Sequence, residues 1–263
     1  MEVVMSLVLS ELDQEIGIIT LNNPEKRNCL SHALIQDFFA ALDNFEQSGV
    51  RVVILRATAG IKVWSAGHDV SELPKPGRDP LPYNSPFEQL LRRVQDYPDP
   101  IIAMIEGGVW GGGCDLALSC DMLVGCDTAS FAMTPAKIGI PYNPSGMIHF
   151  INVIGLNKAK EMFFTASPMT ASEALNLGIL NHLVAVEELE SFTRALAGKI
   201  VKNSPLAIRA LKQEFRLLSK GHPIDAETFE KIGAIRRCVY DSKDYREGML
   251  AFQEKRLPQF RGE

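Results

Sequence analysis

The sequence predicts an α/β fold, and three observations carry that prediction. Wholly apolar runs at 52–55 and 101–105 read as strands buried on both faces, the pattern of a parallel sheet covered by helices. Segments with apolar residues at helical spacing stand between the strands, so strand and helix alternate as far as about residue 132. Beyond Pro144, strand-like runs nearly vanish and helical periodicity takes over. A chain of 263 residues is large for one domain and small for two. The reading is therefore a core over 1–195 and a helical C-terminal region over 196–263.

In order, residues 3–9 and 15–21 read as two short strands around an Asp13-Gln14 turn, closed by Asn22-Asn23-Pro24. Ser31 is a candidate N-cap for a helix over 32–46, where Leu34, Phe38, Ala41, Leu42 and Phe45 recur on one face. The strand at 52–55 follows. Residues 73–86, rich in Pro and Gly, form a loop long enough to be a functional flap. A helix over about 86–97 leads to the strand at 101–105 and then to a glycine turn, and Asp115 to Ser119 begin the helix that it opens. Strands at 122–124 and 129–132 close this part. Helices are expected near 145–154, 156–164, 171–177, 187–202, 205–218, 223–238 and 242–254.

Composition narrows the function classes. The formal net charge of −5 argues against a nucleic-acid binder, although a few local Lys or Arg suffice for an anionic small ligand. Five cysteines without a Cys-x-x-Cys pair read as reduced, mostly buried thiols and not as a disulfide frame or zinc site. The start of the chain carries Glu2 and no basic run, so no signal peptide is expected. No apolar run approaches the roughly 20 residues of a membrane helix. A soluble cytoplasmic protein is the expectation, with no nucleic-acid or membrane partner.

Two stretches carry the chemistry. Trp64-Ser65-Ala66-Gly67-His68-Asp69 and Gly107-Gly108-Val109-Trp110-Gly111-Gly112-Gly113-Cys114-Asp115 each set glycine beside small or polar residues after a strand-like run. Glycine lets backbone approach backbone or ligand closely. Two such turns aimed at one oxygen would form an oxyanion hole. Ser65, His68 and Asp69 do not read as a hydrolytic triad, because triad members converge from distant positions and no Gly-x-Ser-x-Gly elbow is present.

Taken together these marks resemble the crotonase (enoyl-CoA hydratase/isomerase) superfamily over essentially the whole chain. The resemblance rests on Asn22-Asn23-Pro24, Asn28-Cys29-Leu30-Ser31, Ser65-Ala66-Gly67-His68-Asp69, Gly111-Gly112-Gly113, Phe131-Ala132-Met133 before Gly139, and Phe252-Gln253-Glu254-Lys255-Arg256-Leu257-Pro258. Within the family the likeness is to the branch that decarboxylates methylmalonyl-CoA. It is carried by Lys62-Val63-Trp64, Val109-Trp110-Gly111-Gly112, Met133-Thr134-Pro135, Ile140-Pro141-Tyr142-Asn143 and Phe164-Thr165-Ala166-Ser167-Pro168.

The resemblance implies a crotonase-like spiral of ββα units with a helical C-terminal oligomerisation region, packing subunits as a homotrimer or homohexamer. It implies an acyl-CoA thioester substrate, with coenzyme A part of that substrate and no separate cofactor or metal. By motif position the backbone N–H groups of His68 and Gly112 hold the thioester oxygen. Ala66, Gly67, Asp69, Val70 and Trp110 belong to the same substrate-binding turns. Lys26 and Arg27 are candidates for the coenzyme A pyrophosphate, and Lys255 for its nucleotide end.

Hydratases of the family use two glutamates as acid and base. Here Asp115 stands at the first position, set back by one C–C bond, about 1.5 Å, and Pro135 falls at the second. Proline transfers no proton, so hydration by that pair is not expected. Loss of CO₂ from a malonyl-type thioester generates the enolate without a base. Tyr142 and Thr134 are the neutral groups available to hold the departing carboxylate or deliver a proton. The bland alternatives stay open: Asp115 as a first-turn acid beside a helix's positive end, Tyr142 as packing in a proline-rich turn. So do hydration, isomerisation or thioester hydrolysis with Asp115 as single acid, and a non-catalytic acyl-CoA-binding scaffold.

Overall fold

The protein is described by a computed structural model covering residues 6–72, 84–135, 142, 144–219, 227, 242–243, 247, 254, 256, 259 and 261–263. The chain opens with an antiparallel hairpin of β1 (Val8–Asp13) and β2 (Ile16–Leu21), turning at Gln14 with φ 56°. Residues 6 and 7, expected within the first strand, precede it, and the strand runs on to Asp13. It is an edge strand with only Val8 buried, and Leu9 and Leu12 lie about half exposed.

Helix α1 (His32–Gln47) follows, and the Ser31 hydroxyl accepts from Leu34 N as the sequence predicts. The chain then repeats one pattern three times: strand, second strand, helix. The units are β3 (Val52–Ala57), β4 (Val63–Ser65) and α2 (Pro86–Asp96); β5 (Ile101–Ile105), β6 (Gly108–Trp110) and α3 (Gly112–Leu118); β7 (Met122–Cys126), β8 (Ser130–Ala132) and α4 (Pro144–Thr165). In each unit the first strand joins one sheet and the second joins another. The larger sheet runs β1-β2-β3-β5-β7-β10 and the smaller β4-β6-β8-β9, with β9 (Met169–Thr170) and β10 (His182–Val184) added later in the chain. From β2 to β10 the large sheet is parallel. This is the expected spiral of ββα units.

The central strands are buried on both faces. Ile19, Val53, Leu55, Ile101, Ala103 and Leu123 face a core shared with α1, α2 and α3. Ile18, Val52, Ile54, Ile102, Met104 and Val124 face a second layer closed by Leu189 and Ala197 of α6 (Leu189–Val201). That helix runs unbroken across 195–196, where the sequence reading passes from core to C-terminal region. Before it comes α5 (Ala171–Asn176), with a full capping box between Thr170 and Glu173. After it comes α7 (Pro205–Leu218), capped by Ser204.

Three local features depart from or sharpen the sequence reading. The glycine runs read as turns contain short strands, β4 and β6, too brief to show any alternation. Helix α3 starts at Gly112, three residues before the expected Asp115, because glycines with no apolar signature form its first turn. Helix α4 breaks at Gly155 (φ 74°, ψ 161°), the residue between the two helices expected at 145–154 and 156–164. Most of the Pro/Gly-rich segment, and the helices expected over 223–238 and 242–254, lie outside the described residues.

Candidate active site

The two glycine stretches meet. Gly67, at φ +82°, lies so close to the second stretch that a Cβ there would sit 2.6 Å from both Gly112 N and Trp110 O. A Cβ on Gly112 would fall 3.2 Å from His68 N, and one on Gly113 2.8 Å from Ser65 O. Only residues without side chains allow this approach, which is the physical reason for glycine at 67, 112 and 113.

Its consequence is that His68 N and Gly112 N come to one place. Gly112 is the first residue of α3, so its N–H has no carbonyl a turn earlier within the helix. His68 is bridged to Leu30 through the bond from Leu30 N to Gly67 O, which leaves the His68 N–H unused. Two adjacent, unspent amide donors are what an oxyanion hole requires. With seven residues, α3 adds little macrodipole, so the amides themselves dominate the field.

The residues around the two donors hold them rigidly. Asn28, fully buried, donates from its side chain to Trp64 O and accepts from Asn23 N, while Ser65 Oγ donates to Asn28 O. Ala66 N donates to Arg27 O, placing Lys26 and Arg27 beside the Ala66–His68 turn. Both cations are exposed, and Arg27 and Asn28 have left-handed φ of 53° and 48°. Among the described residues neither Lys26 nor Arg27 has a carboxylate within ion-pair distance.

Asp69 faces away from that role. It accepts from Ser71 N and Ser71 Oγ and from the Cys29 thiol. The Ser71 hydroxyl, foremost, holds its carboxyl below the usual value, and burial pushes the Cys29 thiol up to about 11. Asp69 thus shapes the turn at Val70, whose side chain is exposed.

The His68 ring stacks edge-on against Phe87 at 5.7 Å between centroids, with Nδ1 2.9 Å from Asp69 O. Phe87 is buried and also lies against Gly112, within 2.8 Å of where its Cβ would be. The Trp110 indole folds over Gly108, and Trp64 is fully buried with its N–H bonded to Met104 O. Thr134 Oγ1 lies 3.1 Å from the Cβ position of Gly111, at the mouth of the second glycine run, and Pro135 beside it offers no ionisable group.

Asp115 and Tyr142, 27 residues apart in the chain, form a pair: the phenol donates to Asp115 Oδ2 at 2.8 Å. Asp115 is fully buried and stands one turn into α3, three residues after Gly112 and so on the same side of the helix. The pair therefore neighbours the amide donors. Burial first, and then the Asp115 charge, raises the Tyr142 phenol well above its ordinary value near 10. The ring packs edge-on against Phe163 at 5.5 Å. Sequence reasoning missed His149, whose Nδ1 lies 3.1 Å from Asp115 Oδ1, and Gln95, which reaches His149 Nε2 at 2.8 Å. The one available signal was a lone polar ring in the apolar run from Met147 to Ile151. Lys255 lies outside the described residues.

Among the described residues no cluster of three metal-ligating side chains occurs, and no helix is long and apolar enough to cross a membrane. The chain is 47% identical over 248 residues to methylmalonyl-CoA decarboxylase of Escherichia coli K12, covering 94% of this chain and 95% of that protein. A solved methylmalonyl-CoA decarboxylase in complex with 2S-carboxypropyl-CoA superimposes with a TM-score of 0.80 at 46% identity, covering 98% of each chain. An enoyl-CoA hydratase from Geobacillus kaustophilus superimposes with a TM-score of 0.87 at 32% identity, again covering 98% of each. The model of the enoyl-CoA hydratase/isomerase family matches residues 11–263. With its ββα repeats, its paired glycine turns and this match over nearly its whole length, the chain belongs to the enoyl-CoA hydratase/isomerase family.

Proposed function

We propose that the protein decarboxylates a malonyl-CoA-type thioester, methylmalonyl-CoA to propionyl-CoA being the favoured reaction. The observation that carries this reading is the 47% identity to a methylmalonyl-CoA decarboxylase across 94% of the chain. The site's own chemistry agrees. The bond to the carboxylate carbon breaks, its electron pair enters the thioester as an enolate, and CO₂ leaves. The enolate oxygen sits between His68 N–H and Gly112 N–H, where each donor is worth on the order of 10²–10³ in rate. The α-carbon then takes one proton, so each turnover consumes one.

Neutral groups suit this chemistry better than a base. Thr134 and Tyr142 handle the departing carboxylate and the proton. The single phenolic proton of Tyr142 is directed to Asp115 Oδ2, so the phenol serves the substrate only when that proton turns; the Thr134 hydroxyl is the freer donor. Asp115 has both oxygens engaged and no exposure, which disfavours it as the single acid of a hydratase.

Lys26 and Arg27 take the pyrophosphate of coenzyme A, Lys255 its nucleotide end, and the Ala66 to Val70 turn with Trp110 lines the bound thioester. No metal or separate cofactor takes part. We also assign a homotrimer or homohexamer, supported by exposed apolar side chains on α4 and α7 such as Phe164 and Phe215, and we place the protein in the cytoplasm.

The test is direct. Protein dialysed against a chelator is incubated with methylmalonyl-CoA and, separately, crotonyl-CoA. Propionyl-CoA in the first tube is the expected result. Loss of the crotonyl chromophore with no propionyl-CoA would replace decarboxylation by hydration. Neither product, with CoA-ester binding retained, would leave a scaffold.

A further inference from the structure

We infer that His149 is a positioning residue for catalysis, acting through Asp115 on Tyr142; the inference rests on the decarboxylase reading above. Asp115 is buried completely, and among the described residues the two side-chain donors to its carboxylate are Tyr142 on Oδ2 and His149 on Oδ1. A buried carboxylate keeps its charge and orientation only while both oxygens are satisfied.

The ring's proton is placed by its neighbours. With Asp115 Oδ1 as the acceptor, the ring hydrogen sits on Nδ1. The far nitrogen, Nε2, meets the side-chain amide of Gln95 at 2.8 Å, and that amide also reaches Ser119 Oγ at 3.2 Å. With the Gln95 N–H turned to the ring, Nε2 is the acceptor, which is compatible with the same tautomer. Four side chains from α2, α3, the segment before α4, and α4 itself are thus strung in one line: Gln95, His149, Asp115, Tyr142.

The line has an inner and an outer end. The inner end is the Tyr142 hydroxyl, a turn of α3 from the Gly112 donor. The outer end opens on a cavity of about 860 Å³ lined by Gln95, Ser119 and His149 together with apolar side chains of α4 and α7. Among the described residues no hydrogen bond or ion pair joins the line to the Lys26 to Val70 region assigned to coenzyme A. Loosening it should therefore slow the chemical step and leave substrate binding intact.

Leu and Asn have the same shape, and only Asn can donate from the place of Nδ1, so His149→Leu and His149→Asn separate hydrogen bonding from packing. With methylmalonyl-CoA, His149→Leu is expected to lower kcat tenfold or more with KM within twofold, and His149→Asn to return kcat to within threefold of wild type. A second arm needs no turnover. The five tyrosines are replaced by 3-fluorotyrosine, and the ¹⁹F resonance of Tyr142 is assigned by its loss in Tyr142→Phe. That resonance should move in His149→Leu and return towards its position in His149→Asn. Should His149→Leu fail to fold, Gln95→Leu, which frees the far nitrogen, replaces it in both arms with the same direction expected. A wild-type kcat and an unmoved Tyr142 resonance overturn the inference, as does equal impairment of the Leu and Asn variants. If wild-type protein makes no propionyl-CoA, the decarboxylase reading falls, and the ¹⁹F arm alone still decides whether His149 holds Tyr142.

Discussion

Replacing Gly67 by alanine should cripple turnover without unfolding the protein. The new Cβ would meet Gly112 N and Trp110 O at 2.6 Å, whereas ordinary contact begins near 3.4 Å. Both obstacles are backbone, so the two turns must part by about 0.8 Å. Misplacing reacting groups by about 1 Å costs on the order of 10²-fold in rate, about 2.7 kcal/mol in barrier. A separate cost of roughly 1–2 kcal/mol in stability comes from placing alanine at φ +82°. Gly49→Ala isolates that second cost, because Gly49 has φ +72° and no atom within 4 Å of its Cβ position.

The assay is propionyl-CoA formation, followed by chromatography, alongside thermal melts. Gly67→Ala should lower kcat about 100-fold, and both variants should melt a few degrees early. Gly49→Ala should keep its turnover. A folded Gly67→Ala protein with kcat within threefold of wild type would refute the paired-amide site.

Three further outcomes are expected. Lys26→Ala with Arg27→Ala should raise KM for the CoA ester several-fold while leaving kcat unchanged, and added salt should weaken wild-type binding more than that of the variant. Arg209→Met should destabilise the fold by about 2 kcal/mol in urea titration. Asp99 is buried and receives two hydrogen bonds from this guanidinium, yet Arg209 is about a third exposed, so the loss falls short of the roughly 3–5 kcal/mol of a wholly buried pair. Cys29, with its thiol at about 11, should be alkylated slowly at pH 7. The rate should rise about tenfold per pH unit towards pH 10, because the thiolate reacts and the thiol does not; mass spectrometry at this one residue reads the slope.

Much of the fold was legible in the residues. The apolar strands at 52–55 and 101–105, the Ser31 cap, and the break at Gly155 follow from local chemistry: burial on both faces, a hydroxyl before a helical face, a glycine between two helical patterns. Of the second sheet only β8, expected at 129–132, was legible, because strands of three residues such as β4 and β6 carry no period, and their glycines speak for turns. Nor was the start of α3, since Gly112 and Gly113 have poor helix propensity and are kept there by what approaches them from Ser65 and Phe87.

By itself the sequence pointed to the class of chemistry: two glycine runs of a family pattern and, as the resemblance implies, an aspartate where hydratases carry glutamate and a proline where they carry a second. Those are properties of residue identity and order, which survive without coordinates. Only the tertiary structure decided what surrounds Asp115. Its partners Tyr142 and His149 lie 27 and 34 residues away, and no local rule links such distances. Whether a carboxylate serves as an acid or as an anchor depends on which donors surround it once water is removed, and folding alone brings those donors together.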